Sequence, residues 1–386
     1  MMRACLVLVG VLLSGQAMAE PLFSPLLVGE LDYRVHSTEV EGFTGFALGR
    51  FRLGGALRPT ERFLAVGSVE WALEKPLLTD ALVLFTPVEG IHLSLGYGKT
   101  PLFASAKDVA VEALSIPELS LPVRALWPQR DLGLEAQFSP KTLPLEAWLR
   151  VGNGSRSSLG NDNAAPAVDV RLDSLWGGAS PAAAPDTSWG LRLGGGVHAE
   201  DAFDRAGIGG TTPTGFLFYR PVPVSGWRWV TEAHAVFWSG PLQVTAEGGV
   251  AWEQRSRDTD GNPQTPRETL PGIRAQGGAV EVSWLVRGKR RPARGWPVVP
   301  SEGEGMGIQG AVEVAGRVER LVAGLGASDV QTGGSGGGAL AVRWWATDFV
   351  GAGVAGYYLR YDHPPIEAPD RRDSWLVLSR VTVSFR

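Results

Sequence analysis

The sequence has almost no cysteine and little histidine. Its one cysteine, Cys5, lies in an N-terminal stretch, and residues 6–386 have none. Internal disulfides and thiol chemistry are therefore excluded for nearly the whole chain. None of the five histidines stands at metal-ligand spacing. We therefore expect no metal, no cofactor and no enzymatic activity, although a barrel-embedded hydrolase stays open as a lesser alternative.

Long apolar runs are also lacking. Only Ala4 to Leu13 is continuously apolar, and this run is too short to span a membrane as a helix. It follows Arg3 and precedes Ala17-Met18-Ala19, a pattern typical of a secretory signal peptide. We expect a signal peptide at 1–19 and a single mature domain at 20–386. The formal net charge of −4 gives no support for a nucleic-acid partner.

Most of the chain alternates apolar and polar residues with a period of two. In the clearest segment, Val312–Glu319, Val314 and Val318 alternate with Glu313 and Arg317. Because successive side chains of a strand point to opposite faces, one face is apolar and the other is charged. Such a strand can lie between a lipid bilayer and a wet interior.

About sixteen such segments occur, and an even number closes an antiparallel barrel. An outward apolar belt would aggregate in water, whereas in lipid it is stable and closure leaves no unpaired edge. The sequence therefore predicts an all-β, 16-stranded antiparallel transmembrane β-barrel, with a β-sandwich or solenoid as the alternative. The segments begin near Leu27, Gly42, Phe63, Leu77, Ile91, Leu132, Leu145, Ala167, Ser188, Trp227, Gln243, Ile273, Gly310, Gly338, Val350 and Trp375.

The connections have different lengths at the two ends of the predicted barrel. Those after even-numbered strands are mostly short, and several after odd-numbered strands are long, as in outer-membrane barrels. The stretch 287–305 is a long connection at the end of the barrel where the other connections are short. Either it folds into the periplasmic mouth or the strand count is wrong there. Tryptophans near strand ends are typical of interfacial girdles: Trp71, Trp176, Trp189, Trp238, Trp284 and Trp375.

The polar positions that alternate along each strand should face the lumen, and many of them are charged. Arginines and carboxylates there nearly balance, so we expect most of them to pair across strands rather than form a ladder of ion sites. The lumen arginines predicted in this way are Arg34, Arg50, Arg52, Arg150, Arg171, Arg192, Arg228, Arg255, Arg317, Arg343, Arg360 and Arg380.

The stretch 99–130 breaks the strand pattern. It has four prolines and irregularly spaced apolar residues, and structureless loops of this length are usually functional. Its apolar side chains need a surface to pack on. We therefore expect a long third extracellular loop that folds into the lumen and constricts it.

Several segments resemble the phosphate-selective porin O and P family. Gly96-Tyr97-Gly98-Lys99-Thr100-Pro101-Leu102-Phe103 resembles that family's exit from its fifth strand, and Arg130-Asp131-Leu132-Gly133 resembles the start of its next strand. Gly310 to Arg317 is similar to its Gly-Ala-Trp-Glu-x-x-x-Arg strand, with Val312 in place of tryptophan. The resemblance implies a sixteen-stranded outer-membrane porin, often trimeric, that passes small anions.

The candidate constriction and anion-binding residues are six cations. Arginine is suited to forked recognition of phosphate oxygens, so convergence of loop and wall cations would form an anion site. The alternative is that Arg130 anchors the loop to the wall, and for Lys107 and Arg124 both readings stay open. The six candidates are Lys99, Lys107, Arg124, Arg130, Arg50 and Arg52.

Together these features predict a porin in the outer membrane of a Gram-negative bacterium. It would let small hydrophilic solutes diffuse passively and favour anions such as phosphate. Its expected partners are outer-membrane lipid, the barrel-assembly machinery, small anions and two further copies in a homotrimer. The alternative is a non-transporting barrel with a surface-interaction or structural role.

Overall fold

The computed structural model describes residues 22–72, 75–154, 159–161, 163, 165–179, 188–262, 264–288 and 310–385. Within this part of the chain, sixteen antiparallel strands form one closed barrel, in which each strand pairs with its neighbours along the chain. The first strand pairs with the last, as in the register Asp32↔Arg380. The predicted sixteen-stranded barrel is confirmed. The predicted signal peptide at 1–19 and nearly all of the 287–305 connection lie outside the described residues.

The bounds of the barrel strands are close to the predicted ones. Their first residues lie within five positions of the predicted starts, and the largest differences are at the loop ends of long strands. The barrel strands are β1 Phe23–His36, β2 Gly45–Thr60, β3 Phe63–Ala72, β4 Lys75–Val88, β5 Ile91–Lys99, β6 Arg130–Phe138, β7 Leu145–Gly152, β8 Ala167–Gly177, β9 Trp189–Ala206, β12 Pro223–Ser239, β13 Leu242–Arg257, β14 Glu268–Arg287, β15 Ala311–Leu325, β16 Gly333–Trp345, β17 Val350–Tyr361 and β18 Asp373–Phe385.

The long connections hold the remaining elements. The third loop, residues 100–129, contains helices α1 (Ala104–Lys107) and α2 (Leu121–Leu126) and a 3₁₀ turn at Val111–Ala113. The connection after β9 forms a two-stranded hairpin of β10 (Gly210–Thr211) and β11 (Leu217–Tyr219). Among the described residues, no helix has the length and apolar character needed to cross a membrane. We call the rim with the long connections the loop end, and the rim where β1 starts and β18 finishes the turn end.

The two faces of the strands follow the predicted alternation. On β15, Val314 and Val318 are 42% and 65% exposed on the outside, whereas Glu313, Arg317 and Glu319 are buried on the inside. The inward charges also pair across strands as predicted, for example Arg52 with Glu70 and Arg228 with Glu253. The outward apolar belt and the charged interior are thus the two sides of the same strands.

Two side chains lie on the other face from the predicted one. Arg360 is exposed on the outside of β17, because Tyr357, Leu359 and Tyr361 take the inward positions. Both faces of that strand are apolar in sequence, so the pattern does not determine which face turns inward. Trp238 is an even number of residues from buried Glu232 and His234 on β12, so it shares their inner face. It is therefore not part of an outer girdle.

Candidate functional site

The third loop lies inside the barrel, as predicted. Leu102, Phe103, Val123 and Leu126 are at most 1% exposed. They pack on small inward residues of the wall, namely Val230, Ala251, Ala275 and Ala323. Farther along the loop, Ile116 packs on Ala315, Ala339, Ala341 and Ala355. Burial of apolar area stabilises this arrangement by about 25 cal/mol per Å², and it explains why the loop sequence is too apolar for a solvated loop.

Wall arginines donate hydrogen bonds to carbonyl oxygens of the loop backbone. Arg171 donates to Pro101 O at 2.9 Å, Arg317 to Glu118 O at 2.8 Å and Arg380 to Pro117 O at 3.0 Å. Arg343 donates to the carbonyl of Leu114 in the same way. These bonds satisfy carbonyl groups of an irregular backbone that would otherwise be buried without partners.

Wall carboxylates accept hydrogen bonds from the loop in return. Glu247 accepts from the backbone N–H of Ser105 and Glu319 from that of Leu121, each at 2.8 Å. Glu313 accepts from the hydroxyl of Ser115, also at 2.8 Å. The charges of this side of the lumen therefore hold the loop in place as well as pairing with one another. We call strands β8, β9 and β12–β18 the covered wall.

Two inward glycines of the covered wall leave room for loop side chains. A Cβ added at Gly249 would lie 3.1 Å from Phe103, and one added at Gly277 would lie 3.0 Å from Pro122. Phe103 has φ 59°, a region that residues with a Cβ seldom occupy. The close packing of the loop against these two positions keeps the backbone of Phe103 in this conformation.

Strands β2–β4 form a second wall whose inward charges remain partly open to the lumen. The side chains of Arg50, Arg52 and Glu70 are 13%, 11% and 13% exposed, and that of Asp80 is 22% exposed. The arginines that donate to the loop backbone are, by contrast, between 0% and 4% exposed at Arg171, Arg317 and Arg380, whereas Arg192, which pairs with Asp108 of the loop, is 13% exposed. We call β2–β4 the open wall.

Three arginines gather where the open wall lies close to the start of β6. Arg50 and Arg52 share one oxygen of Glu70, at 3.1 and 2.6 Å. Arg130, at the start of β6, lies 3.7 Å from Asp80 and interacts electrostatically with Arg52 and Glu70. Three guanidinium groups thus face two carboxylates. A third carboxylate, Glu30, is 3.6 Å from Arg50 and is shared with Arg380. We call Arg50, Arg52 and Arg130 the arginine cluster.

Several N–H donors of the arginine cluster have no hydrogen-bond acceptor in the described part of the protein. They are Nε and Nη1 of Arg50, and Nε and Nη2 of Arg130, and all four nitrogens are buried. The ion pairs of these two arginines are therefore long or poorly aligned. Guanidinium groups bind carboxylate and phosphate oxygens well, and between 11% and 16% of each side chain in the cluster is exposed.

The other three predicted site residues hold the loop. Lys99 donates through Nζ to the carbonyls of Ala106 and Val109. Lys107 donates to both oxygens of Glu135 at 2.8 and 2.9 Å. Arg124 donates to the carbonyls of Thr211 and Thr212, which joins the third loop to the β10–β11 hairpin. The structure therefore brings Arg50, Arg52 and Arg130 together. Lys99 lies beside Arg130 in the register of β5 with β6 but uses its ammonium group on the loop carbonyls, and Lys107 and Arg124 lie elsewhere.

Asp80 also belongs to this site, although the alternation of apolar and polar residues did not predict that it faces the lumen. The register of β3 with β4 shifts between Ser68 and Val69, so Thr79 is an extra residue in β4. Both Thr79 and Asp80 then reach Ser68 on the inner face. A bulge of this kind re-aims side chains, and a strict period of two cannot locate it.

The two buried histidines of the wall face carboxylates with both ring nitrogens. His198 lies 2.8 Å from Asp169 and 3.6 Å from Glu200. His234 lies 3.0 Å from Glu232 and 3.3 Å from Asp173. A catalytic base would need one nitrogen directed at a nucleophile. Among the described residues, no group of three or more His, Cys, Asp or Glu is arranged to hold a metal ion.

Solved structures with the same architecture are outer-membrane proteins. The fold is that of the outer-membrane barrels. The trimer form of OmpT of Vibrio cholerae matches with TM-score 0.52 and 12% identity over 93% of this chain and 98% of that chain. The channel DcaP of Acinetobacter baumannii matches with TM-score 0.56 and 8% identity over 94% and 96%. The anion-selective porin of Comamonas acidovorans matches with TM-score 0.53 and 10% identity over 94% and 99%.

The similarity is structural only. No protein-family model matches the sequence, and no curated protein sequence does. At identities near 10% the comparison establishes the fold and does not extend to what passes through the barrel.

Proposed function

We propose that the protein is an outer-membrane porin through which small solutes diffuse passively, with a preference for anions. The observation that supports this proposal most is the arginine cluster at the open wall and the start of β6. Its three guanidinium groups lie against Glu70 and Asp80, share Glu30 with Arg380, and keep between 11% and 16% of their side chains exposed. Rings of cationic side chains favour anions in channels. The solved neighbours described as a channel and as an anion-selective porin support the proposal.

The solute path in this proposal runs between the third loop and the open wall. The loop is bonded to the covered wall through its backbone, and the arginines that bond it are almost fully buried. The inward charges of β2–β4 keep part of their surface exposed. In this proposal a solute passing the loop contacts the exposed parts of Arg50, Arg52 and Arg130. Phosphate, which the sequence resemblance implies, is one of the anions that the cluster could bind.

The remaining parts of the proposal concern the cellular setting. Export by the 1–19 signal peptide, insertion by the barrel-assembly machinery and assembly as a homotrimer fit an outer-membrane barrel. The OmpT structure described as a trimer form supports the last of these. The mass of the protein purified from outer membranes tests cleavage after Ala19, and crosslinking in detergent tests the trimer.

The experiment that tests the function is ion selectivity in planar lipid bilayers. In a potassium chloride gradient, we expect stepwise openings and a reversal potential that favours chloride. Replacing either Arg52 or Arg130 singly by glutamate should shift that potential toward cation selectivity. The matched control is Lys141→Glu, an equal charge change at an exposed turn on the rim, where the side chain is 70% exposed.

Two outcomes would contradict the proposal. A folded barrel without stepwise conductance would favour the non-transporting alternative. A pore with equal chloride and potassium permeability, unchanged in the Arg52→Glu and Arg130→Glu variants, would remove the anion preference. Equal effects of these variants and Lys141→Glu would show that only the overall charge matters.

A further inference from the structure

The inner face of the open wall is apolar toward the turn end. Leu64 and Val66 on β3 have the same parity as Ser68 and Glu70, which face the lumen. They pair directly with Leu84 and Leu82 on β4. These two strands are therefore apolar on both faces over this stretch, because Phe63 and Phe85 stack on the outside with ring centroids 4.7 Å apart. We call Leu64, Val66, Leu82 and Leu84 the apolar patch.

The apolar patch is not covered in the way that the loop's apolar side chains are. Each of its four residues is half-buried, whereas the loop residues that pack on the covered wall are almost fully buried. The interior of an outer-membrane barrel is ordinarily polar. Exposed apolar surface inside a pore therefore needs a reason, and such patches commonly mark sites for apolar groups of a ligand.

The open wall changes from cationic to apolar along its length. On β3, Glu70 with its arginine partners comes first, then Ser68 with its hydroxyl bonded to Thr79 at 2.7 Å, then Val66. Val66 is four residues from Glu70, which corresponds to about 13 Å in a strand that rises about 3.3 Å per residue. A solute with its charged group at the arginine cluster therefore needs an apolar chain of roughly this length to contact both regions.

The opposite side of the lumen is also partly apolar. A cavity of about 80 Å³ lies under the third loop and is lined by Val236, Trp238, Leu114 and Leu119. Its charged lining residues have partners, for example Arg192 with Asp108 at 2.7 Å and Glu247 with the N–H of Ser105 at 2.8 Å. Apolar groups thus line the lumen on both sides below the loop.

We infer that the preferred solutes are amphipathic organic anions, whose charged group binds at the arginine cluster and whose apolar portion contacts the apolar patch. This inference rests on the proposed function and names the solute class for the same site. An inorganic anion such as phosphate would gain only the first contact. Each methylene group removed from water stabilises a complex by up to about 0.8 kcal/mol, so binding should strengthen with chain length.

The test compares linear carboxylates of increasing length on the intact porin. Acetate, hexanoate and decanoate, as potassium salts at pH 7, are added to a bilayer that carries a chloride current. We expect the half-blocking concentration to fall at least about tenfold from acetate to decanoate, which needs about 1.4 kcal/mol and therefore only partial contact of the eight added methylenes. Equal half-blocking concentrations would overturn the inference even where chloride preference is present.

Variants separate the two contacts. The double variant Leu82→Asn, Leu84→Asn should remove the chain-length dependence and leave the chloride reversal potential unchanged. The isosteric Val66→Thr should weaken the chain-length dependence. Arg52→Gln should weaken block by all three carboxylates. The control is Ser94→Ala on β5, which pairs with Leu84 and should change neither property. A chain-length dependence that survives the double variant would place the apolar contact elsewhere and overturn this assignment.

The two proposals can fail separately. Loss of chloride preference with retained chain-length dependence would overturn the anion-selective function. Retained chloride preference without chain-length dependence would overturn only the solute class.

Discussion

The covered wall and the open wall carry the same residue types and use them differently. On the covered wall, Arg171, Arg317 and Arg380 bond to loop carbonyls and to neighbouring carboxylates and are almost fully buried. On the open wall, Arg50 and Arg52 share Glu70 and keep exposed surface. These three covered-wall arginines therefore hold the loop, whereas Arg50 and Arg52 pair with a wall carboxylate and keep part of their surface open to the lumen.

The largest expected effect comes from removing a charge on the covered wall. Arg171 is 0% exposed and pairs with Asp108 and Asp173 at 2.7 and 2.6 Å. Arg171→Met should destabilise the barrel by up to about 3–5 kcal/mol. Asp108 and Asp173 then lose this partner and keep Arg192 and His234, and the buried carbonyl of Pro101 loses its donor. The temperature at which the folded band disappears in a gel-shift assay should fall.

Arg52→Gln on the open wall is the matched variant. We expect it to leave that temperature within a few degrees of the wild type, because Glu70 keeps Arg50 as a partner and the site is partly hydrated. Equal stability losses in the two variants would show that the walls do not differ in the way described.

A smaller effect is expected where the wall backbone lies close to the loop. A Cβ at Gly249 would lie 2.6 Å from Thr231 O and 3.1 Å from Phe103. Gly249→Ala should therefore cost about 1–3 kcal/mol through overpacking and make the single-channel current noisier as the loop shifts. Gly67→Ala on β3 has nothing within 4 Å of the new Cβ and serves as control. A Gly249→Ala barrel as stable as the wild type would contradict the close contact.

The smallest effect concerns the first loop, where it meets the covered wall. Glu41 accepts hydrogen bonds from Ser37 at 3.0 Å and Tyr361 at 3.2 Å, and burial raises its pKa. A carboxyl with a raised pKa binds its proton more tightly in the folded state, so its contribution to stability is complete below the ordinary value of 4.5 and is lost as the pH rises through the folded pKa.

Glu41→Gln should accordingly remove a weak pH dependence just above pH 4.5. The measurement is amide exchange of residues 37–44 across that range. An unchanged pH profile in the variant would show that Glu41 is not the titrating group.

Much of the fold could be predicted because a period of two is a local property. Val314 and Val318 lie outside and Glu313 and Arg317 inside without reference to any distant residue. The prediction was wrong where both faces have similar character, as at Arg360, and missed the position of Asp80 after the β4 bulge. Lys107 and Arg124 could not be placed from the sequence, because their partners Glu135 and Thr211 lie far away along the chain.

The sequence by itself determined that the chain makes a closed barrel with an apolar exterior, a charged interior and one apolar loop that needs a surface inside. Only the tertiary structure decided which wall the loop covers. That choice depends on small residues, Gly249 and Ala251 among them, that meet the loop's apolar side chains at one place around the barrel. The uncovered strands are thereby left with both an arginine cluster and an apolar patch facing the lumen.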